Sequence, residues 1–230
     1  AVVGQNGSGK TTLMKLIAGL RKPQKGEILV GGKNTKKESP LGRVGYVFQN
    51  PEHQFVATTV REELEQGLEQ LGIPPNEAEW KTMEMLRMFG LAHLRNEPPY
   101  TLSMGEKRLL SVATVLILEP EIVILDEPTT GLDRKSTRMM MSILDRFVRK
   151  QGITVIQVSH DMEQVAEFAT RVVVLENGRI IHDSSPRELF AREDILQTCK
   201  LGAPPAARLS RLLWPEAESL PITTKEFLGR

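Results

Sequence analysis

The sequence predicts an α/β protein in which helices flank a mostly parallel β-sheet and an all-helical lobe is inserted into the chain. Three observations support this prediction. Short apolar runs of strand length recur along the chain. Segments with apolar residues at three-to-four spacing alternate with these runs, as is typical of parallel sheets. One helical segment is much longer than the others and covers about residues 51–116.

The predicted strands are short apolar runs, several of which are bounded by turn residues. They cover residues 1–3, 26–32, 44–48, 122–125, 155–158 and 172–175. The first strand has only three residues before a glycine-rich loop begins. We therefore expect the sequence to be a piece of a longer chain, truncated at its N-terminus.

The predicted helices cover residues 11–20, 60 to about 94, and 103–118, and Pro74-Pro75 divides the second of them. These elements predict one domain over residues 1–183, with its helical lobe at about 51–116. After residue 183, prolines separate short amphipathic pieces. We expect residues 184–230 to form a small C-terminal appendage.

Composition excludes several classes of protein. The 230 residues are 40% hydrophobic and 26% charged, which is ordinary for a globular protein. The net charge of +1 gives no reason to expect nucleic acid as a partner. A single cysteine excludes an internal disulfide framework and a cysteine-clustered metal site. No apolar run approaches the roughly 18 residues of a membrane-spanning helix.

A glycine-rich loop lies between the first strand and the first helix. Residues 4–12 read GQNGSGKTT and fit the pattern G-x-x-x-x-G-K-[ST]. Glycines allow backbone amides to surround a phosphate chain, and the helix start adds positive potential. The lysine supplies a charge to the β- and γ-phosphates, and the hydroxyl of Thr11 is a ligand for Mg²⁺. The residues predicted to contact the nucleotide here are Gly4, Asn6, Gly7, Ser8, Gly9, Lys10, Thr11 and Thr12.

Two acids follow the apolar strand at residues 122–125. Asp126 and Glu127 are expected at the carboxyl edge of a parallel sheet, where ligands bind in such folds. With a phosphate loop in the same chain, Asp126 is predicted to hold Mg²⁺ through water. Glu127 is predicted to polarise the attacking water. The two motifs together predict binding of a nucleoside triphosphate.

Further motifs indicate to which class of nucleotide-binding protein the chain belongs. Gln49 follows the strand at 44–48, residues 102–106 read LSMGE, residues 126–133 read DEPTTGLD, and His160 follows the strand at 155–158. In this order the motifs resemble the Q-loop, signature, Walker B with D-loop, and switch histidine of ATP-binding cassette ATPases. The resemblance covers residues 1 to about 183 and implies a P-loop NTPase core with a helical signature subdomain.

The resemblance also implies roles for single residues. Two cassettes close head-to-tail over two ATP molecules, so Ser103 and Gly105 of one complete the site of the other. Glu127 is then the catalytic base, and His160 holds the γ-phosphate and the water. Gln49 is implied to sense Mg²⁺ and to couple the site to a partner, and Asp133 to contact the opposite subunit.

A finer resemblance lies in residues 48–56, which read FQNPEHQFV. This run, together with the C-terminal tail, is similar to the ATPases of energy-coupling factor importers of vitamins and of cobalt or nickel ions. It implies an integral-membrane partner that docks near residues 49–55, and a second ATPase that is identical, different or fused. It also implies a location on the cytoplasmic face of the membrane.

Two departures from the family pattern lie in the signature. Met104 stands where glycine is commonest and Glu106 where glutamine is commonest, so we expect a weaker site in the partner that this chain completes. Two other functions remain open. One is a cassette ATPase outside transport, associated with nucleic acid or ribosomes, although no basic, zinc or coiled-coil insertion is visible. The other is a regulatory half that binds ATP and hydrolyses it poorly.

Overall fold

The computed structural model describes residues 1–214 and 220–229. The strands are β1 (Val2–Val3), β2 (Leu29–Val30), β3 (Lys33–Asn34), β4 (Val44–Val47), β5 (Ile122–Asp126), β6 (Thr154–Val158), β7 (Val172–Glu176) and β8 (Arg179–Ser184). The α-helices are α1 (Lys10–Ile17), α2 (Val60–Gln70), α3 (Pro75–Met88), α4 (Met104–Leu116), α5 (Arg134–Gln151), α6 (Met162–Phe168), α7 (Pro186–Ala191), α8 (Glu193–Thr198), α9 (Pro205–Leu213) and α10 (Thr224–Leu228). None of the helices in the described part of the chain is long and apolar enough to cross a membrane.

The chain divides into two compact units. The first combines residues 1–13 with residues 157–230, and the second is continuous from 14 to 156. The first unit is therefore built from both ends of the sequence.

The first unit is formed around strand β1. This strand lies between β6 and β7 and is parallel to both, and β8 adds to β7 in the antiparallel direction. Val3 and Val174 lie in one apolar core with residues from the C-terminal helices, including Phe190 and Leu196. Of the predicted appendage at 184–230, residues 215–219 and 230 lie outside the described residues. The division at residue 183 stays a prediction.

The second unit contains the parallel pair β4 and β5 and the helices α2 to α5. Val44 pairs with Ile122 and Val47 with Leu125, so the two strands end side by side. Helix α2 packs against α3 and α4, and α4 packs against β4. Residues 51–116, all of them described, form helices and short 3-10 turns without a strand. Apolar side chains on these helices, such as Leu64, Leu86 and Leu110, are fully buried.

The mostly parallel sheet with flanking helices confirms the predicted fold class. Several local details differ from the sequence prediction, which did not include strand β3 or the helices α5 and α6. Helix α1 ends at Ile17 rather than at residue 20, because Gly19 adopts the left-handed conformation with φ +72°. The run at 26–32 gives only the short strand β2, which pairs with β3 in a separate two-stranded sheet. Strand β8 was not predicted.

Candidate active site

In the first unit, the glycine-rich loop follows directly from the carboxyl end of β1. Gly4 has φ +147°, and a Cβ built on it lies 2.1 Å from the carbonyl oxygen of Leu175. Strand β7 therefore passes so close to the loop that only glycine fits at this position. Gly7 and Gly9 also have positive φ, at +81° and +102°. These conformations turn the chain sharply between β1 and α1.

The loop bends back over its own lysine. Lys10 is buried, and its ammonium donates to the carbonyl oxygens of Gly4 at 2.8 Å and Gln5 at 2.9 Å. Ser8 is also buried, and its hydroxyl oxygen has no hydrogen-bond partner in the part of the chain that the structure describes. An unpaired buried hydroxyl costs free energy unless a ligand satisfies it. Thr11 and Thr12 are exposed at the start of α1, where the first helical amides lack intrahelical acceptors.

A hairpin turn that the sequence reasoning missed supports this loop. Strands β7 and β8 are joined by Asn177 and Gly178, both with positive φ, at 48° and 75°. The amide of Gly178 donates to the carbonyl oxygen of Ser8 at 2.9 Å. The dipeptide Asn-Gly between apolar runs is a strong hairpin signal, so this contact to the loop has a recognisable origin in the sequence.

His160 lies on the loop between β6 and α6 and is exposed. Val158 pairs with Val2, so His160 and Gly4 each follow the paired position by two residues at the same strand ends. Ser159 donates its amide to the carbonyl oxygen of Val2, although the bond is long at 3.4 Å. Asp161 caps α6 by accepting from the amides of Glu163 and Gln164. The first unit thus brings the predicted switch histidine to the strand edge that carries the glycine-rich loop.

In the second unit, the predicted Q-loop and Walker B acids meet at the ends of β4 and β5. The register places Gln49 beside Glu127, and the amide nitrogen Nε2 of Gln49 donates to Oε2 of Glu127 at 3.2 Å. Glu127 is half-buried and has φ +51°, an uncommon conformation for a residue that is not glycine. Strained residues cluster at functional sites, but Glu119 shares this conformation at φ +52°, so the hydrogen bond to Gln49 is what distinguishes Glu127.

Asp126 is buried at the end of β5, with 3% of its surface exposed. The hydroxyl of Tyr46 donates to its Oδ2 at 3.1 Å. Burial, together with the carboxylate of Asp126, raises the pKa of Tyr46 well above its ordinary value. The phenol therefore stays protonated and remains a donor to the carboxylate across the physiological pH range. Tyr46 carries no motif signal, and the sequence analysis did not identify it.

The signature residues lie at the start of α4, also in the second unit. Ser103 is the N-cap, and it forms a reciprocal capping box with Glu106. The Ser103 hydroxyl donates to Oε2 of Glu106 at 2.7 Å and accepts from the Glu106 amide at 3.3 Å. The hydroxyl and the backbone amide of Ser103 both donate to this carboxylate and lower the pKa of Glu106, so the carboxylate is ionised beside Ser103 at neutral pH.

The residues after Ser103 face the D-loop of the same chain. A Cβ built on Gly131 lies 3.3 Å from Cγ of Met104, and one built on Gly105 lies 3.6 Å from Leu132. Asp133 follows as the N-cap of α5 and accepts from the amide of Ser136 at 2.7 Å. That bond lowers the pKa of Asp133. The large Met104 side chain at this signature position therefore borders the D-loop. Half of its surface is exposed.

Comparisons with known proteins agree with this geometry. A family model described as ABC transporter matches residues 1–130. The energy-coupling factor transporter ATP-binding protein EcfA2 of Streptococcus thermophilus is 37% identical over 239 residues, which cover 99% of this chain and 85% of that protein.

Two solved structures are similar in fold. The structure of cbiO1 from Clostridium perfringens, described as part of the ABC transporter complex cbiONQ, has a TM-score of 0.75 at 32% identity and covers 90% of this chain and 85% of that one. The ATP-binding cassette MJ0796, in a dimeric post-hydrolysis state with ADP and Pi, has a TM-score of 0.72 at 29% identity and covers 81% and 84% of the two chains. The resemblance found in the motifs is confirmed: the chain belongs to the ABC transporter family and is an ATPase of that family.

Proposed function

We propose that this chain is the ATP-hydrolysing subunit of an importer of the energy-coupling factor type. It drives uptake of a vitamin or a transition-metal ion through a membrane partner. The hydrogen bond between Gln49 and Glu127 carries this proposal. It joins Gln49, the first residue of the segment 49–55 at which the membrane partner is expected to dock, to Glu127, which is expected to act as catalytic base. The similarity to EcfA2 and cbiO1 supports the importer assignment.

The glycine-rich loop is suited to hold the phosphates of ATP. Its amides and the N-terminus of α1 provide donors and positive potential. The unpaired Ser8 hydroxyl is a further polar group for a phosphate oxygen. Lys10, whose ammonium already lies over the loop, is a compact cation for the β- and γ-phosphates. Gly4 maintains the turn because a larger residue collides with β7.

Mg²⁺ fits the oxygen donors that the chain offers. Thr11 supplies a hydroxyl, Gln49 an amide oxygen and Asp126 a carboxylate, all of them hard ligands. Within the described residues, no group of three or more His, Cys, Asp or Glu side chains forms a metal site. Mg²⁺ takes few protein carboxylates and completes its coordination with phosphate and water. When bound, the cation neutralises charge that develops on the phosphates.

Hydrolysis then depends on three side chains. The Glu127 carboxylate accepts the proton of the attacking water as the oxygen–phosphorus bond forms. Gln49 holds that carboxylate in one orientation through the 3.2 Å hydrogen bond. His160 donates to the γ-phosphate and fixes the water in line with it. ADP leaves with the electron pair of the broken bond.

A second cassette ATPase, identical or related, completes each site. Ser103 and the amides at the start of α4 serve the nucleotide held by that partner, and Asp133 contacts the partner across the interface. The ionised carboxylate of Glu106 accepts the hydrogen bond that the Ser103 hydroxyl donates. The hydroxyl must turn away from this carboxylate to donate to a phosphate, which supports a weaker site in the partner.

The membrane partner docks on the segment of residues 49–55. Side chains of helix α4 hold this segment in place. Lys107 of α4 pairs with Glu52 at 2.5 Å, and Gln54 donates to Thr114 at 2.7 Å. Just beyond the segment, Glu63 of α2 accepts from two successive backbone amides. A surface held in this way suits recognition by a rigid element of a partner at the cytoplasmic face of the membrane. No nucleic acid partner is proposed.

The test is a Glu127→Gln variant compared with a Glu119→Gln control. Glu119 is a matched glutamate, also with positive φ of 52°, on the second unit. We expect Glu127→Gln to lower ATP hydrolysis by roughly a hundredfold to ten-thousandfold, as for loss of a general base, and the control to change it little. Equal hydrolysis by both variants and the wild type contradicts the assignment of the base.

The same variant tests the importer assignment. With ATP it is expected to keep partners bound, so it is used as bait in detergent-solubilised membranes of the source cells. Co-purification of a polytopic membrane protein supports the importer. Recovery of soluble partners alone, from bait shown to be folded, instead supports an ATPase outside transport.

A further inference from the structure

Arg108 is a buried cation on the signature helix α4. Only 2% of its surface is exposed, and it is the bulkiest of the fully buried side chains in the described chain. It was not singled out by any motif. Burying a guanidinium is costly unless its donors are satisfied, so the partners of Arg108 indicate what the residue is for.

Those partners are backbone oxygens of the Q-loop. Nη1 of Arg108 donates to the carbonyl oxygen of Phe48 at 2.8 Å, and Nη2 donates to the carbonyl oxygen of Gln49. Two successive carbonyls are therefore held by one planar group. Among the described residues, Nε of Arg108 has no hydrogen-bond partner.

The charge of Arg108 also lies near the predicted catalytic acids. Burial lowers the pKa of the guanidinium, and the carboxylates of Glu127 and Asp126 act in the opposite direction. The guanidinium remains charged, because the ordinary pKa of arginine is above 12.

We propose that Arg108 is a positioning residue for hydrolysis, which acts through Gln49. The guanidinium fixes the Q-loop backbone, so that the Gln49 amide is presented to Glu127 at the observed 3.2 Å. The start of α4, which carries Ser103 and Gly105, is thereby connected to the catalytic base through Arg108 and Gln49. A shift of this helix changes the orientation of Glu127. This proposal rests on the proposed function, because it assumes the roles of Gln49 and Glu127.

The chemistry requires arginine rather than any cation. A guanidinium is a rigid fork that donates to two acceptors at once, whereas an ammonium on a flexible stem does not reproduce that geometry. Arg108→Lys therefore keeps the charge and most of the volume but loses the paired hold on the two carbonyls. Arg149→Lys is the matched control, because it makes the same substitution at an exposed arginine of α5, whose partner is the carboxylate of Asp145 and not the Q-loop backbone.

The first measurement is steady-state ATP hydrolysis by the purified chain. We expect Arg108→Lys to lower kcat by about tenfold to a hundredfold, the range for a misplaced catalytic group, with KM for ATP within about twofold of wild type. The control is expected to keep both constants. If the number of ATP-binding sites in Arg108→Lys falls by the same factor as kcat, the variant has lost folded protein, and the proposal is contradicted.

The second measurement is a double-mutant cycle with Gln49→Ala. If Arg108 acts through Gln49, the double variant has the same kcat as Gln49→Ala alone. If the fold-changes in kcat of the two single variants instead multiply in the double variant, the two residues act independently and the proposal is overturned.

Hydrogen exchange of the peptide that covers residues 46–54 separates this proposal from the proposed function. We expect faster exchange in Arg108→Lys than in the control, whether or not the chain hydrolyses ATP. Unchanged exchange overturns the role of Arg108. If Glu127→Gln hydrolyses ATP as fast as the wild type, the proposed function is overturned instead.

Discussion

Replacing Gly4 by alanine is expected to destabilise the first unit severely. A Cβ at this position lies 2.1 Å from the carbonyl oxygen of Leu175 and 2.9 Å from the hydroxyl oxygen of Ser8. The Ser8 side chain is able to rotate, but the Leu175 carbonyl belongs to strand β7, which pairs with β1. The two strands must therefore separate to admit the methyl group.

Two costs add in this variant. A non-glycine residue at φ +147° costs about 1–3 kcal/mol in backbone strain. Overpacking against a fixed backbone costs about another 1–3 kcal/mol. A total near 4 kcal/mol is a large part of the roughly 5–15 kcal/mol that holds a domain folded. For a chain of this size it lowers Tm by about 8–16 °C.

Gly7→Ala is the matched control in the same loop. Gly7 has φ +81°, but no atom of residues 1–214 or 220–229 beyond its chain neighbours lies within 4 Å of a Cβ built on it. It should pay only the conformational cost of about 1–2 kcal/mol. Thermal unfolding followed by circular dichroism, without nucleotide, measures both variants. If Gly4→Ala unfolds within about 2 °C of Gly7→Ala, the close approach of β7 to the loop is wrong.

Two further predictions concern a tyrosine and the cysteine. Tyr46→Phe is expected to cost about 1.5–3 kcal/mol, because a hydrogen bond to the buried Asp126 carboxylate is lost. The raised pKa of Tyr46 means that this stabilisation is complete below the ordinary tyrosine pKa of about 10 and is lost only as pH rises through the higher folded value. The Tm difference between wild type and variant should thus be constant from about pH 6 to 9, and a difference that declines across that range contradicts the assignment. Cys199 is buried and its thiol pKa is raised, so iodoacetamide at pH 8 should label it far more slowly in the native protein than in urea; equal rates refute the burial.

Motifs that depend on local sequence were predictable, and contacts that depend on packing were not. The glycine-rich loop and the acids after β5 carry their chemistry in residue type and spacing, so the elements that hold them were found with small errors at their ends. Arg108 illustrates the opposite case. Beside Lys107 it has the appearance of a solvated pair on a helix surface, and only the packing of α4 against β4 reveals that it is buried.

Strand β8 was missed although a local signal existed. Its apolar residues Ile180 and Ile181 are exposed, so the strand lacks the buried run by which the others were recognised. The preceding Asn177-Gly178 turn was the available indication. The roles of the motif residues, and the boundary of the appendage at residue 183, stay predictions, since fold and similarity do not test them.

The apolar core that Val3 shares with Leu189, Phe190 and Ile222 has a consequence for synthesis. Residues 14–156 form a continuous unit that has all its strands and helices as soon as residue 156 leaves the ribosome. The glycine-rich loop is translated first, but the strands on either side of β1 come more than 150 residues later. Its supporting core is completed only near residue 222. A nascent chain that stops short of that point is therefore expected to have an intact signature helix but a phosphate loop that lacks its supporting core. We thus expect the ability to bind ATP to arise late in translation.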